Sequence, residues 1–465
     1  MITNGIWYTF GVFLTHSVTL LTVPIFTRLL TPSDFGVVSL YTMWVSIFTY
    51  FIGMQVSGSI NNAYIDFGEN KINEYLSSVL FLSLFSFVPI FIISIIFKGF
   101  LSLIFEVDEK LVIIIPLQSY ATFTIGMLSG KFTAKREKFK VIALSAIVAI
   151  STVTTAVILT WTAPLELRYF YRIVGSAIPT IAVGSLVYVF IFLKGKMINK
   201  EYWKYCLPIT IPLILHSLSS LILNQSDRLM IAKISNTTEV GLYSFAYSLG
   251  AYVSTIWIAF NHAWRPWYYE NVLNNNILEI LKTYKLYRTL FGAMVSIFIL
   301  ISPEFTMIMG SKDYQKGINI TPIIILSFYF NFLYSFPANH EFYHKKTRAI
   351  SLSTLMAALF NLTLNFILIP IFKSEGAAFA TALSWFALLV FHERIVNLKL
   401  KDYVIPSKDI YLSAFIMSIV TGFFYFVIDY AFIRWIIAIT IGIGFLMYTT
   451  KKTKNRLTKN TFLDN

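Results

Sequence analysis

The chain has 465 residues, 57% of them hydrophobic and 13% charged, with a mean hydropathy of +0.69. A soluble protein keeps charged residues near about a quarter of its composition, so this balance points to a membrane protein; 17% aromatics exclude a disordered chain, and the single cysteine, Cys206, excludes an internal disulfide. Thirty-seven Lys and Arg against 23 Asp and Glu give a net charge of +14, but the basic residues sit in short tracts between apolar runs, which is the pattern of a polytopic membrane protein and not of a nucleic-acid binder.

A spanning helix needs about 20 mostly apolar residues. In chain order, stretches free of Asp, Glu, Lys and Arg predict helices at 1 to 27, 35 to 65, 75 to 97, 111 to 130, 141 to 165, 173 to 193, 205 to 226, 240 to 264, 289 to 303, 317 to 340, 349 to 372, 376 to 392, 410 to 428 and 435 to 450, fourteen in all. The two weakest, 289 to 303 and 435 to 450, can lengthen by snorkelling of Arg288 and Arg434. The opening segment MITNGIWYTFGVF lacks the basic n-region and cleavage site of a signal peptide and reads as a retained first span.

With the N-terminus in the cytoplasm, 26 Lys and Arg fall inside and 10 outside, while Arg172 lies at a helix start. The bias predicts both termini in the cytoplasm and an even helix count. No loop is long enough for a soluble domain, so the work is expected within the bilayer.

The chain also repeats at an offset of 205 residues. Asp34, Gly36 and Ser39 read against Glu239, Gly241 and Ser244, and Arg28 against Lys233. The expected architecture is all-α: two six-helix lobes, residues 1 to 200 and 201 to 400, related by a pseudo-twofold along the membrane normal, with two further helices and a basic cytoplasmic tail in 401 to 465.

Four segments carry a family likeness: PIFTRLLTPSDFGVVSLY (Pro24 to Tyr41), NQSDRLMIAKISNTTEVGLYSFAYSL (Asn224 to Leu249), FNHAWRPWYYE (Phe260 to Glu270) and LNFILIPIFKSEGAAFATALSW (Leu364 to Trp385). Together they resemble the bacterial lipid-linked oligosaccharide repeat-unit flippases (Wzx type) of the multidrug/oligosaccharidyl-lipid/polysaccharide superfamily, over about residues 1 to 400. The resemblance implies a multi-pass protein of the bacterial inner membrane that moves undecaprenyl-pyrophosphate-linked oligosaccharide from the cytoplasmic to the periplasmic leaflet for O-antigen, capsule or exopolysaccharide assembly. Membrane lipid and, further off, a polysaccharide polymerase and chain-length regulator are the implied partners. Lipid II flippases of the same superfamily also have fourteen helices and remain an alternative. A cation-coupled drug exporter with a carboxylate early in its first helix is disfavoured, because the first acid is Asp34. A membrane polymerase or ligase is disfavoured by the short outer loops.

A pyrophosphate needs positive charge in a cavity with low-dielectric walls, and an ionisable residue inside a span is a functional candidate. Arg28 at the end of the first span is either an interfacial arginine, a partner for Asp34, or a cavity residue. Arg172, followed at once by an apolar stretch, is the better candidate of the Arg168–Arg172 pair. Asn224, Gln225, Asp227 and Arg228 form a polar patch, with Arg228 a cationic candidate and the others a gate or inter-lobe contact. On the inner side Asn61, Asn62, Asn261, His262 and Arg265 are ligands or helix-end caps. His16 and His216 are proton-relay groups or hydrogen-bonded packing residues. The residues show no metal-ligand spacing and no P-loop, so neither a metal site nor nucleotide hydrolysis is expected. Transport then draws on the substrate gradient, the membrane potential or a coupling ion, H+ or Na+.

Overall fold

The computed structural model describes residues 21 to 400 and 402 to 461, without the side chains of 212, 213, 215, 216, 347 and those from 448 onward. His16 and the His216 side chain lie outside the described residues. Helices account for almost all of the rest, and no strand occurs among the described residues. They are α1 (21 to 29), α2 (Pro32–Gly53), α3 (Ile60–Leu82), α4 (Leu84–Ile96), α5 (Lys98–Phe105), α6 (Glu109–Ala134), α7 (Lys138–Thr162), α8 (Arg168–Gly195), α9 (Lys200–Ile234), α10 (Thr237–Leu273), α11 (Ile277–Leu300), α12 (Ser302–Met309), α13 (Thr321–Tyr343), α14 (Thr347–Ile395), α15 (Ser407–Phe426) and α16 (Ala431–Thr461).

Eight of the described helices are long and apolar enough to cross a membrane, or nine if α11 and α12, bent by 63°, form one span. The helices α9 and α10 carry internal polar residues and run to 35 and 37 residues. At 1.5 Å per residue that is about 50 to 55 Å, well beyond the ~30 Å hydrocarbon layer. The long α14 breaks at Lys373 (φ 49°, ψ −129°), so it is two helices, as the sequence pattern predicts.

One boundary differs from expectation. The second helix was expected to reach residue 65, with Asn61 and Asn62 at its end. It stops at Gly53, because Met54 and Gln55 turn left-handed (φ 44° and 52°); a 3-10 turn over Val56–Ser59 follows, and Asn61 and Asn62 begin α3. The cause is the small-residue run Gly53, Ser57, Gly58, Ser59, which weakens the helix.

The chain forms two compact units. One comprises Met1–Ser248 and Ser351–Ser384, the other Leu249–Ile350 and Trp385–Asn465. In the first unit, the repeat signature has a local cause. Thr31 caps α2: its hydroxyl accepts the Asp34 amide (3.2 Å), and Asp34 Oδ2 accepts the Thr31 amide (3.0 Å), with Pro32 at the first position. At α10 the Asn236 side-chain Oδ1 accepts the Glu239 amide (3.0 Å) at equivalent positions, while the Glu239 carboxylate accepts from the Ser374 hydroxyl. The cap repeats in both places, but the acid closes it only at Asp34, whose carboxylate faces Thr31 and forms no ion pair with Arg28. The repeated glycines mark a crossing. A Cβ on Gly36 would stand 2.0 Å from the Thr237 carbonyl oxygen, and one on Gly241 would stand 1.7 Å from that of Pro32. Since 32 maps to 237 and 36 to 241, the contact is reciprocal, as a twofold axis between α2 and α10 requires.

In the second unit, aromatic residues make the core: Trp264, Tyr268, Tyr284, Phe291, Phe332 and Phe336 are fully buried on α10, α11 and α13. Arg434, at the start of α16, donates two 2.8 Å bonds to the Glu304 carboxylate and one of 2.7 Å to the Leu300 carbonyl. It is 3% exposed, so this arginine is spent on packing α16 against α11 and α12 rather than snorkelling.

Candidate functional site

The first unit encloses two adjoining cavities that share Val38, Thr42 and Arg172. One, of about 320 Å³, is lined further by Tyr41, Gln118, Thr152 and Thr180. The other, of about 220 Å³, is lined by Val23, Phe26, Ser39, Met43, Gln225, Arg228, Ser244 and Ser248 among others. Among the described residues neither lining contains a carboxylate.

Two of the three arginines singled out from sequence therefore meet in one cavity. Arg172, on α8, lies with its guanidinium 3.9 Å above the centre of the Phe26 ring and makes no hydrogen bond or ion pair among the described residues. Arg228, on α9, is 8% exposed; its Nη1 donates to the Asn224 carbonyl (3.1 Å) and to Gln225 Oε1 (2.7 Å), and the Tyr247 ring lies 4.8 Å from its guanidinium carbon. No carboxylate lies within ion-pair distance of either. A guanidinium held among apolar and aromatic side chains without a carboxylate partner keeps its donors available at the cavity.

Arg28 stands elsewhere. It lines a groove with Pro24, Ile25, Leu29, Val157 and Trp161 and donates to the Pro24 carbonyl (2.6 Å). Arg168 ties α8 to α1 through the Leu29 carbonyl (3.0 Å).

Asp227 is fully buried, and its partners are not arginines. Its carboxylate accepts from Tyr243 (2.6 Å), Thr381 (2.8 Å) and the Asn365 amide, all within the first unit. The Asn365 carbonyl and the Asn361 amide nitrogen beside it have no hydrogen-bond partner. Two hydroxyls and one amide N–H satisfy a carboxylate that would otherwise be buried without partners. The sequence patch Asn224–Arg228 is thus divided: Gln225 and Arg228 face the cavity, while Asp227 turns into the helix packing. Tyr243, Asn365 and Thr381 lie far from Asp227 in sequence and could not be grouped with it by spacing.

The inner-side candidates are divided between the two units. Asn61 and Asn62 are exposed on α3 of the first unit. In the second unit Asn261 accepts from the Asn339 amide (2.8 Å), His262 is exposed, and Arg265 donates to the Tyr269 hydroxyl (2.9 Å) with Phe342 below its guanidinium. There the structure also buries an ionisable pair that sequence reading passed over, Glu341 with His392 at 2.7 Å, both 0% exposed.

Residues 1 to 272, which include α2 to α9, Arg172 and Arg228, match the family model described as "Polysaccharide biosynthesis protein". The chain belongs to that family. Within curated proteins, this family member is 24% identical over 368 residues to an "Uncharacterized membrane protein" of Haemophilus influenzae, covering 76% of the chain and 86% of that relative. Its fold is that of the lipid II flippase MurJ in an inward closed conformation (TM-score 0.74, 15% identity, 97% of this chain and 100% of that one). It is shared with an inward-facing multidrug resistance MATE family transporter (TM-score 0.66, 14% identity, 83% and 96%). The chain is therefore a multi-pass helical membrane protein with the fold shared by these flippase and transporter structures.

Proposed function

We propose that the protein is a flippase that carries undecaprenyl-pyrophosphate-linked oligosaccharide repeat units from the cytoplasmic to the periplasmic leaflet of the bacterial inner membrane, by alternating access and without nucleotide hydrolysis. The observation that supports this reading is that Arg172 and Arg228 line one cavity, with no carboxylate among its described lining residues, in a member of the polysaccharide biosynthesis family. In this reading the two guanidiniums receive the pyrophosphate, which has a formal charge of about −2 in a setting where charge-assisted hydrogen bonds are strong. The cavity holds the head group, and the polyprenyl chain stays in the bilayer. Gln225, already hydrogen-bonded to Arg228, sets the orientation of that fork. Both termini lie in the cytoplasm, and a surface-polysaccharide polymerase takes the product on the outer side. The buried Asp227 carboxylate, bonded by Tyr243, Thr381 and Asn365, supplies the place for a coupling proton.

The test is complementation of a flippase-null strain, read as surface polysaccharide per unit of membrane protein. Restoration by the wild-type chain, with loss in Arg172→Gln and Arg228→Gln, is expected. Failure of the wild-type chain to restore export in strains making several different repeat units, or gain of drug resistance in its place, overturns the reading.

A further inference from the structure

The second unit holds, at the end of α13, a group of side chains that the transport reading does not use. On α13 the sequence His340-Glu341-Phe342-Tyr343-His344 places two histidines four residues apart, hence on one helix face, with ring centroids 4.7 Å apart. The expectation of no metal-ligand spacing overlooked this pair. Sixty residues on, the segment after α14 brings Asp402 to the same point: His340 Nε2 lies 3.0 Å from Asp402 Oδ1, and His344 Nε2 lies 2.8 Å from Oδ2. The three donor atoms all fall within 4.8 Å of one another.

We propose that His340, His344 and Asp402 form a binding site for a divalent transition-metal ion of the Zn2+ type, which fastens the 402 to 406 segment to the end of α13. Four features support it. Two imidazole nitrogens with one carboxylate oxygen suit a borderline cation and not Mg2+ or Ca2+, which take all-oxygen sets. Donor atoms of a tetrahedral ion at about 2.0–2.1 Å stand roughly 3.3 Å apart, and since the three lie within 4.8 Å of one another, side-chain rotation by up to about 1.5 Å closes the set around an ion. The other ring nitrogen of His340 lies 2.8 Å from the Tyr268 hydroxyl, the outer hydrogen bond that orients metal-binding histidines and fixes which nitrogen keeps the proton. The proton that Nε2 holds when facing Asp402 moves to Nδ1 as the metal arrives, and Nδ1–H then donates to Tyr268. Finally, exposure rises from 0% at His340 through 29% at His344 to 47% at Asp402, which leaves one side open to water as the fourth ligand.

The pattern His-Glu-x-x-His is also that of zinc hydrolases, where the glutamate activates the metal-bound water. Here Glu341 points to the other face of α13 and is bonded to His392 at 2.7 Å. The site therefore has no general base and is structural.

The experiment uses the full chain in detergent, freed of any affinity tag and stripped with chelator, titrated with Zn2+ by calorimetry and with Co2+ in the visible spectrum. One Zn2+ per chain, the intense d–d bands of tetrahedral Co2+, and an upward shift in melting temperature with Zn2+ but not Mg2+ are expected. His344→Ala and Asp402→Asn should weaken binding at least a hundredfold, and Tyr268→Phe by about 10- to 100-fold. The faint spectrum of six-coordinate aquo-Co2+ in the wild-type chain overturns the proposal and needs no variant to fold. So does Zn2+ affinity that both His344→Ala and Asp402→Asn leave unchanged. Because export is not the readout, neither result bears on the flippase reading.

Discussion

Replacing Arg172 or Arg228 by glutamine removes a charge from the cavity while keeping length and polarity, and the structure fixes what each loss should cost. Neither guanidinium has a carboxylate to release, so the variant gains nothing from an unpaired acid, and the whole effect falls on the incoming anion. Losing hydrogen bonds to a charged group costs about 1.5–3 kcal/mol, or roughly 10- to 150-fold in binding. Lysine at 228 keeps the charge but loses the planar fork and the stacking on Tyr247, 4.8 Å away, so partial export is expected. Since both arginines face one cavity, the double variant should lose less than the product of the singles. Arg28→Gln, in its separate groove, should stay within about 0.5 kcal/mol, or about twofold, of wild type. The assay is polysaccharide export in a flippase-null strain, normalised to folded protein in the membrane, because Arg228 also bonds Asn224 and Gln225 and its loss touches stability. Export within twofold of wild type by both glutamine variants and their double would refute the cavity assignment; a loss at Arg28 as large as at Arg172 would refute the separation.

Gly241→Ala should lower stability by about 1–3 kcal/mol or more, since the new methyl lies 1.7 Å from the Pro32 oxygen, whereas Gly126→Ala, with nothing within 4 Å, should leave thermal melting in detergent unchanged or raised. Arg434→Met should cost about 3–5 kcal/mol by stranding Glu304, and Arg434→Met with Glu304→Leu should restore much of it, read in the same melts; equal losses would show that the pair is not the cause. Cys206 is fully buried, so the native chain should resist a membrane-impermeant maleimide in intact cells; against that background a cysteine at Asn236 should label and one at Lys140 should not, and the reverse pattern would invert the topology. Val23 and Arg228 are related by the 205-residue offset and line the same cavity, so Val23→Arg with Arg228→Val should export more than Arg228→Val alone, and no recovery would tie the function to the α9 position itself.

The sequence pattern located the helices because it records one physical demand, about 20 apolar residues per crossing, and that demand is local. It misplaced the end of α2, where the break depends on Met54 and Gln55 turning left-handed next to small residues. Arg172 and Arg228 were legible because a charge amid apolar residues stands out wherever it points. Asp227 stood out for the same reason, yet its partners Tyr243, Asn365 and Thr381 are ordinary polar residues in helices 16 to 154 positions away, and nothing in their local sequence marks them. His340 and His344 were legible as a spacing and were overlooked. Asp402 was not legible, since a single loop acid gains meaning only from where the chain returns.

The repeat carried two messages that the structure separates. Helix caps and close crossings recur at both halves of a symmetric pair, the caps at Thr31 and Asn236 and the crossings at Gly36 and Gly241. The cavity follows the same relation, for it is lined by Ser39 with Ser244, Met43 with Ser248, and Val23 with Arg228, each pair at the offset of 205. A cavity on such an axis would by symmetry hold two like charges or none. It holds Arg228 opposite Val23, and Arg172 has its counterpart in Ala377, a buried helix residue of α14. Symmetric residues thus build the frame, and the two arginines depart from symmetry. That departure puts the cavity's charge at positions the repeat does not duplicate, and under the proposed flippase reading an elongated ligand with an anionic group at one point would therefore enter in one orientation.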